Sequence, residues 1–178
     1  MNKTKDYEYK LYLLCNTDEA LLNYVKSKSV KNNIICKDWM EQDELLNFIN
    51  EKIDYNIMAS VCEGIPGIML ETMRMGVPTI SSNIYCVNEV IHNNYNGILF
   101  DYHNYKEYAF QKIYLFADDL IDKIKIHDAI NSENLVNALL KVHNNTILLN
   151  NLSKNCINYY NFTYTKLNNF SALDFFDL

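Results

Sequence analysis

Four short apolar runs separated by helical segments are the feature that most constrains this fold. The runs are KLYLLC at 10–15, IICK at 34–37, DYNIMAS at 54–60 and PTISS at 78–82. Their length and composition predict buried strands, and the apolar residues between them recur at the spacing of a helix face. Short strands that alternate with helices form parallel sheets through right-handed crossovers. We therefore predict an α/β protein with a Rossmann-like, doubly wound parallel sheet flanked by helices.

The second half of the chain is expected to add one strand and several helices. Gly97 introduces a short apolar run that predicts an edge strand. Residues 104–126 and 132–160 contain no glycine or proline and are helical in pattern, which predicts two or three extra C-terminal helices. The final FSALDFFDL either completes the core or docks against another element. Trp39, after the second strand, is expected to anchor packing rather than to support a ligand.

Length, charge and cysteine content narrow the classes of protein. With 178 residues, of which 49% are hydrophobic, the chain fits a single domain over residues 1–178. A formal net charge of -6 argues against nucleic-acid binding. No stretch is long and apolar enough for a membrane span or a signal peptide, so a cytoplasmic protein is expected. The five cysteines are widely spread without a metal-ligand pattern, which predicts reduced thiols and no metal site.

The stretch at 60–82, SVCEGIPGIMLETMRMGVPTISS, lies at the end of the third predicted strand. Ligands of doubly wound folds bind beyond the carboxyl ends of the strands. A helix that begins after Pro66 and Gly67 directs backbone N–H groups and the positive end of its dipole toward that loop, which favours an anion. Gly64 and Gly67 carry no side chain, so a phosphate could approach the backbone closely. The stretch is therefore a candidate anion-binding site.

Two glutamates in this stretch are candidates for contacts to a sugar. Glu71 is expected in the first turn of an apolar helix, where a buried carboxylate needs donors such as vicinal sugar hydroxyls. Alternatively, Glu71 pairs with Arg74 or simply favours the helix N-terminus through the dipole. Glu63 is expected to face the same pocket from the loop, and its alternative is an exposed loop acid.

The same residues carry a family resemblance. Glu63 and Glu71 match the E-x7-E motif, so the chain resembles the carboxyl-terminal domain of the family-4 (group 1) retaining glycosyltransferases of the GT-B fold. NEVI at 88–91 is similar to the family's Pro-Glu-Val-Ile segment, and NGILFD at 96–101 to its Asn-Gly-Leu-Leu-Val run. NFTYTK at 161–166 is similar to the Phe-Thr-Trp segment that precedes the family's last helix. The resemblance implies one half of a GT-B fold.

The resemblance also implies a role for each matching residue. Glu63 would be the catalytic residue, contacting the sugar ring and orienting the anomeric carbon, and Glu71 would hold the ribose hydroxyls. Backbone amides of the turn from Pro66 to Met69 would meet the diphosphate. A nucleotide-diphosphate sugar would be the donor substrate, and no metal or other cofactor would be needed. The implied donor-binding residues are Glu71, Gly64, Ile65, Pro66, Gly67, Ile68 and Met69.

Three departures from the family pattern shape the expected function. First, Tyr85 and Cys86 stand where the family has paired glycines. Second, no residues match the family's strand-helix unit whose Arg and Lys bind the diphosphate. Third, no residues match the acceptor domain. The resemblance thus implies a domain that binds the donor for retaining glycosyl transfer to a glycan or lipid-linked acceptor, as in polysaccharide biosynthesis. It would be active only with an N-terminal acceptor-binding domain in the same or another chain, through which it could contact a membrane peripherally.

Two other functions remain open from the sequence. The chain could be a non-catalytic GT-B-like binding or interaction module that keeps the fold without the cationic grip on the diphosphate. It could also be half of a nucleotide-sugar epimerase, which would share the nucleotide pocket.

Overall fold

A computed structural model of the chain describes residues 9–14, 19–28, 33–61, 63, 66–103 and 117–167. The chain divides into two compact units, Met1–Leu45 and Leu46–Leu178. The assignment of residues 1–178 to a single domain stays a prediction.

The first unit contains a strand, a helix and a second strand. β1 (Leu11–Leu14) and β2 (Ile34–Lys37) pair in parallel and are joined through α1 (Glu19–Lys28), as the sequence predicts. Helix α2 (Gln42–Lys52) follows and crosses the boundary between the units. Trp39 is 71% exposed in the irregular segment before α2, so its predicted role as a packing anchor is wrong.

The second unit is built on a three-stranded parallel sheet. Its strands are β3 (Asn56–Met58), β4 (Thr79–Ser82) and β5 (Gly97–Phe100), in that spatial order. The register places Ile80 beside both Ile57 and Ile98. β5 lies at an edge of this sheet, as expected. The predicted α/β class with parallel sheets flanked by helices is confirmed, although the described strands form two sheets instead of one continuous sheet.

Four helices accompany this sheet among the described residues: α3 (Gly67–Arg74), α4 (Val87–Val90), α5 (Ala117–His143) and α6 (Thr146–Leu167). The two long ones confirm the expected C-terminal helices. The NFTYTK segment is itself helical and belongs to α6. Residues 104–116 and the FSALDFFDL segment lie outside the described residues.

Side chains of β4 alternate between two buried clusters, one on each face of the sheet. Ile80 joins a cluster with residues of β5, α5 and α6, among them Ile98 and Val142. Thr79 points to the opposite face, where its hydroxyl lies 3.5 Å from that of Thr72 on α3. The cluster on that face contains Met58, Met69, Met73, Ile84, Val87, Val90, Ile91 and Cys156. Burial on both faces fixes the sheet and, with it, the loop that leaves the end of β3.

Candidate functional site

The β3–α3 loop (residues 59–66) is held at its start by two short hydrogen bonds. The Ser60 hydroxyl donates to Oε1 of Glu63 at 2.6 Å, and the Ser82 hydroxyl donates to the Ser60 carbonyl at 2.6 Å. This is possible because β3 and β4 are parallel neighbours whose carboxyl ends meet at one edge of the sheet. Glu63 is half-buried, which does not fit the alternative of an exposed loop acid.

Helix α3 begins at Gly67, one residue before the predicted start. Pro66 is its N-cap, with extended backbone at φ −67° and ψ 125°, and provides no side-chain cap. The amide of Met69 donates to the carbonyl of Pro66 at 3.1 Å, and proline itself has no N–H. Of the amides predicted to meet a diphosphate, those of Gly67 and Ile68 are therefore the best placed to donate outward. A Cβ added at Gly67 would meet no atom of the described residues within 4 Å, and Gly67 is exposed, so no described side chain covers the helix start.

Glu71 lies just beyond the first turn of α3, whereas the sequence predicts it within that turn. Because the helix begins at Gly67, Glu71 opens the second turn, and it is half-buried where the sequence suggested full burial. The buried residues of α3 are Met69, Thr72 and Met73, and Glu71 lies on the opposite side of the helix, with Gly67 and Arg74. The favourable effect of the helix dipole on a carboxylate is concentrated in the first turn. The dipole alternative for Glu71 is therefore weakened.

The C-terminal end of α3 is fixed by its contacts. Gly76 follows the helix with φ +74°, the left-handed conformation that favours glycine after a helix end. A Cβ there would lie 3.0 Å from Cδ1 of Ile157 and from the Ser153 hydroxyl oxygen on α6, so a side chain would also crowd this helix. The Val77 amide then donates to the carbonyl of Thr72 at 2.9 Å and turns the chain into β4. These contacts hold α3, and hence Glu71, against the body of the unit.

The loop after β4 contains Tyr85 and Cys86, which stand where the family has paired glycines. The substitution of glycine affects the backbone at Cys86. Cys86 is the N-cap of α4 and has φ +71°, although it is not glycine. Side chains are disfavoured in this conformation, which glycine adopts without strain. Cys86 therefore keeps a glycine-like backbone conformation, and the pair adds two side chains, of which that of Tyr85 is 58% exposed.

The α4–β5 turn (residues 91–96) is explained entirely by contacts within the chain. The Asn96 side chain is fully buried, accepts from the His92 amide at 2.7 Å and donates to the Val90 carbonyl at 3.0 Å. The Cys156 thiol donates to the Asn96 carbonyl at 3.0 Å. Burial raises the pKa of this thiol to about 12, so it remains a neutral donor. Asn96 thus has a structural role, although it belongs to a segment that the family resemblance matched.

Gly97 has a different structural reason. A Cβ at this position would lie 2.6 Å from the backbone oxygen of Thr79 and 2.8 Å from Cγ2 of Ile91. The close approach of β5 to β4 and the preceding turn therefore requires glycine here.

The remaining predicted features of the site have different outcomes. Gly64 and Ile65 lie outside the described residues, so their donor-binding roles stay predictions. Sequence reasoning gave no role to Ser60 and Ser82, although the placement of a serine three residues before Glu63 was visible.

Within the described ranges, no group of three or more His, Cys, Asp or Glu side chains is arranged to hold a metal ion. No helix among the described residues has the length and apolar character of a membrane span.

Sequence comparison relates this chain to glycosyl-transferring enzymes. Residues 2–130 match the family described as glycosyl transferases group 1. A relative from Escherichia coli, UDP-Gal:alpha-D-GlcNAc-diphosphoundecaprenol alpha-1,3-galactosyltransferase, is 26% identical over 136 residues. The aligned part covers 76% of this chain and 27% of the relative, so the chain spans about a quarter of the length of that protein.

Structural comparison identifies the same fold in solved proteins. The crystal structure of TarM matches with a TM-score of 0.60 at 18% identity, covering 92% of this chain and 27% of TarM. The C-terminal domain of LpcC, a glycosyl transferase group 1 family protein from Francisella tularensis, matches with a TM-score of 0.51 at 17% identity, covering 82% of this chain and 61% of that one. These likenesses support a fold of the GT-B type. Because the family match extends over more than half of its residues, the chain belongs to the group 1 glycosyl transferases.

Proposed function

We propose that the Leu46–Leu178 unit binds the nucleoside diphosphate part of a nucleotide-sugar donor for retaining glycosyl transfer. The observation that carries this proposal is the placement of Glu63, half-buried and hydrogen-bonded, in the loop that leads to the start of α3. Membership in the group 1 glycosyl transferases supplies the reaction class. The donor named for the Escherichia coli relative is UDP-Gal, which makes uridine nucleotides the first ligands to test.

The diphosphate would bind at the start of α3. The amides of Gly67 and Ile68 would donate to phosphate oxygens, and the open space at Gly67 would admit them. Glycosyl transfer leaves a nucleoside diphosphate, whose negative charge grows as the bond to the sugar breaks. Fixed backbone donors and the positive end of the helix dipole can stabilise this charge. The proposed site therefore handles the leaving group with the chain's own amides, without a metal ion.

The two glutamates would have separate tasks. Glu71 would accept hydrogen bonds from the ribose hydroxyls, which act as donors to its half-buried carboxylate. Glu63 would contact the sugar ring and orient the anomeric carbon for attack by the acceptor. Hydrogen bonds to a charged acceptor contribute roughly 1.5–3 kcal/mol each, so loss of Glu71 is expected to weaken binding about tenfold or more.

Transfer itself would require an acceptor-binding domain. The chain spans about a quarter of the Escherichia coli relative. We propose that acceptor binding belongs to an N-terminal domain in the same or another chain. The chain alone would then bind the donor without transferring the sugar. Tyr85 and Cys86, where the family has two glycines, support the second candidate, a domain that binds a nucleotide without catalysis.

Calorimetric titration with UDP, GDP and ADP tests the binding proposal. We expect weak binding of one of these nucleotides, with a Kd on the order of 0.1–1 mM. Glu71→Ala is expected to remove most of that binding, and EDTA is expected to leave it unchanged. Binding by Glu71→Ala that equals binding by the parent chain would show the ribose assignment to be wrong.

Arg74→Ala is the matched control for Glu71→Ala. Arg74 is exposed in the last turn of the same helix. If Glu71 serves only to pair with Arg74, both substitutions lower stability equally and neither changes nucleotide binding. If Glu71 binds ribose, only Glu71→Ala weakens binding.

A further inference from the structure

We infer that Ser60 is a positioning residue for Glu63 and that Ser82 supports Ser60 from the neighbouring strand. The inference rests on the proposed role of Glu63 in contacting the donor sugar. It starts from the two hydrogen bonds of 2.6 Å that connect Ser82 to Ser60 and Ser60 to Glu63. These bonds form one continuous connection from the end of β4 to the carboxylate.

The bond from Ser60 to Glu63 has the geometry of a strong interaction. Hydroxyl donors bond to ionised carboxylates at about 2.5–2.7 Å, and such bonds are roughly twice as strong as neutral ones. The bond engages Oε1 of Glu63. A carboxylate has a second oxygen with its own lone pairs, so a carboxylate fixed through one oxygen can accept from a ligand with the other. Ser60 can therefore set the direction of Glu63 without occupying all of its acceptor sites.

Ser82 gives this arrangement a rigid base. Its side chain is completely buried at the end of β4, and its hydroxyl fixes the carbonyl of Ser60. Ser60 itself lies beyond the end of β3, so a bond to a buried residue of the adjacent strand restrains a loop residue. Loss of either hydroxyl leaves the sheet in place and frees the Glu63 carboxylate to rotate. Misplacement of a contacting group by about 1 Å is enough to weaken a positioned interaction severely.

The affinity that the sugar adds to UDP binding distinguishes a positioning role of Ser60 from a role in folding alone. Titrations of the chain with UDP and with UDP-galactose give the affinity gained from the sugar. Ser60→Ala is expected to leave the UDP affinity unchanged and to reduce the sugar's gain about tenfold, the effect of one lost charged hydrogen bond. Ser60→Thr keeps a hydroxyl and is expected to restore the gain. A parent chain that binds UDP and gains nothing from the sugar, or an equal gain in parent and Ser60→Ala, would overturn the inference.

Ser82 and Ser81 provide a matched pair of variants. Both side chains are completely buried in β4, but the Ser81 hydroxyl has no hydrogen-bond partner among the residues that the structure describes. Ser82→Ala is therefore expected to reduce the sugar's gain, by less than Ser60→Ala, and Ser81→Ala to leave it unchanged. Equal effects of the two substitutions would contradict the role of Ser82.

A measurement without ligand distinguishes failure of this inference from failure of the proposed function. Carbon-13 relaxation at the Glu63 carboxyl group reports how tightly the side chain is held. We expect an ordered carboxylate in the parent chain and in Ser60→Thr, and a mobile one in Ser60→Ala. If no nucleotide binds and this pattern is observed, the proposed function fails and the positioning by Ser60 stands. If the carboxylate is equally mobile in parent and Ser60→Ala, the inference fails whatever binds.

Discussion

Two glycines of the second unit are present for opposite reasons. They are Gly67 at the start of α3 and Gly97 after the α4–β5 turn. At Gly97 an added Cβ would lie 2.6 Å from a backbone oxygen, whereas at Gly67 it would meet no atom of the described residues within 4 Å. Gly97 is required by the fold. Gly67 has no such requirement, and its open surroundings suit the close approach of a ligand.

The difference extends to the polar residues beside the two glycines. Asn96, in the α4–β5 turn, has both ends of its side-chain amide occupied by backbone groups, the His92 amide in the turn and the Val90 carbonyl at the end of α4. That turn is also bonded to α6, since the side-chain amide of Asn155 donates to the Tyr95 carbonyl at 2.9 Å. In the β3–α3 loop, Glu63 is held by a serine through one carboxylate oxygen. The segments that match the family therefore contain some residues that build the fold and others that the fold presents to a ligand.

Substitution of the two glycines is expected to give the largest contrast. Gly97→Ala forces β5 away from the backbone of Thr79 and is expected to cost about 3 kcal/mol of unfolding free energy, at the upper end for overpacking. Gly67→Ala is expected to change stability by less than about 0.5 kcal/mol and to weaken nucleotide binding. Urea unfolding measures the first effect and calorimetry the second. A stable Gly97→Ala variant would remove the distinction between the two positions.

The next largest effect is expected at Asn96. Asn96→Ala leaves the His92 amide and the Val90 carbonyl without their partner and is expected to lower the unfolding free energy by about 2 kcal/mol. Nucleotide binding at saturating concentration is expected to be unchanged. A variant that unfolds like the parent but binds nucleotide less tightly would place Asn96 in the site instead of the scaffold.

The thiol that supports the α4–β5 turn is expected to make stability depend on alkaline pH. The pKa of Cys156 is raised from 9.0 to about 12 by burial, so the folded state keeps a proton that the unfolded state loses. Its stabilising contribution is complete below pH 9 and declines as the pH rises toward 12. We expect a loss of about 1 kcal/mol between pH 8 and pH 10.

Comparison with Cys156→Ala isolates this effect. The raised pKa values of Tyr55 and Tyr164 add to the slope in both proteins, with the same sign. The difference in slope between parent and variant therefore reports Cys156 alone. Identical slopes would mean that the folded thiol ionises as readily as the unfolded one.

The smallest expected effect is at Cys86. Cys86→Gly removes a side chain from a residue at φ +71° and is expected to raise the unfolding free energy by about 0.5 kcal/mol, net of the greater chain entropy of glycine. Cys86→Ala retains the strain and is expected to give no such gain. A gain of equal size from both would show that the thiol, and not the backbone conformation, is unfavourable.

The sequence predicted the elements around the site well because their signals are local. The apolar run of β3, the Pro66-Gly67 helix start and the Gly76 helix end each depend on neighbouring residues, and each lies where expected. The predicted helix begins after Gly67 and the observed one at Gly67, and this difference of one residue puts Glu71 just beyond the first turn instead of within it.

Other features depend on contacts between distant residues and could not be read from local patterns. The bond from Ser82 to Ser60 joins residues 22 positions apart and exists only through the parallel register of β3 and β4. The exposure of Trp39 likewise depends on which elements cover it, and a large aromatic residue by itself predicts burial.

Chemical-shift mapping of the nitrogen-15-labelled chain during titration with UDP compares the two regions most directly. We expect the amides of Gly67, Ile68 and Glu71 to shift as the nucleotide binds, and the amides of the α4–β5 turn to stay unchanged. Shifts confined to that turn, or no shifts at saturating UDP, GDP and ADP, would contradict the assignment of the donor site to the start of α3.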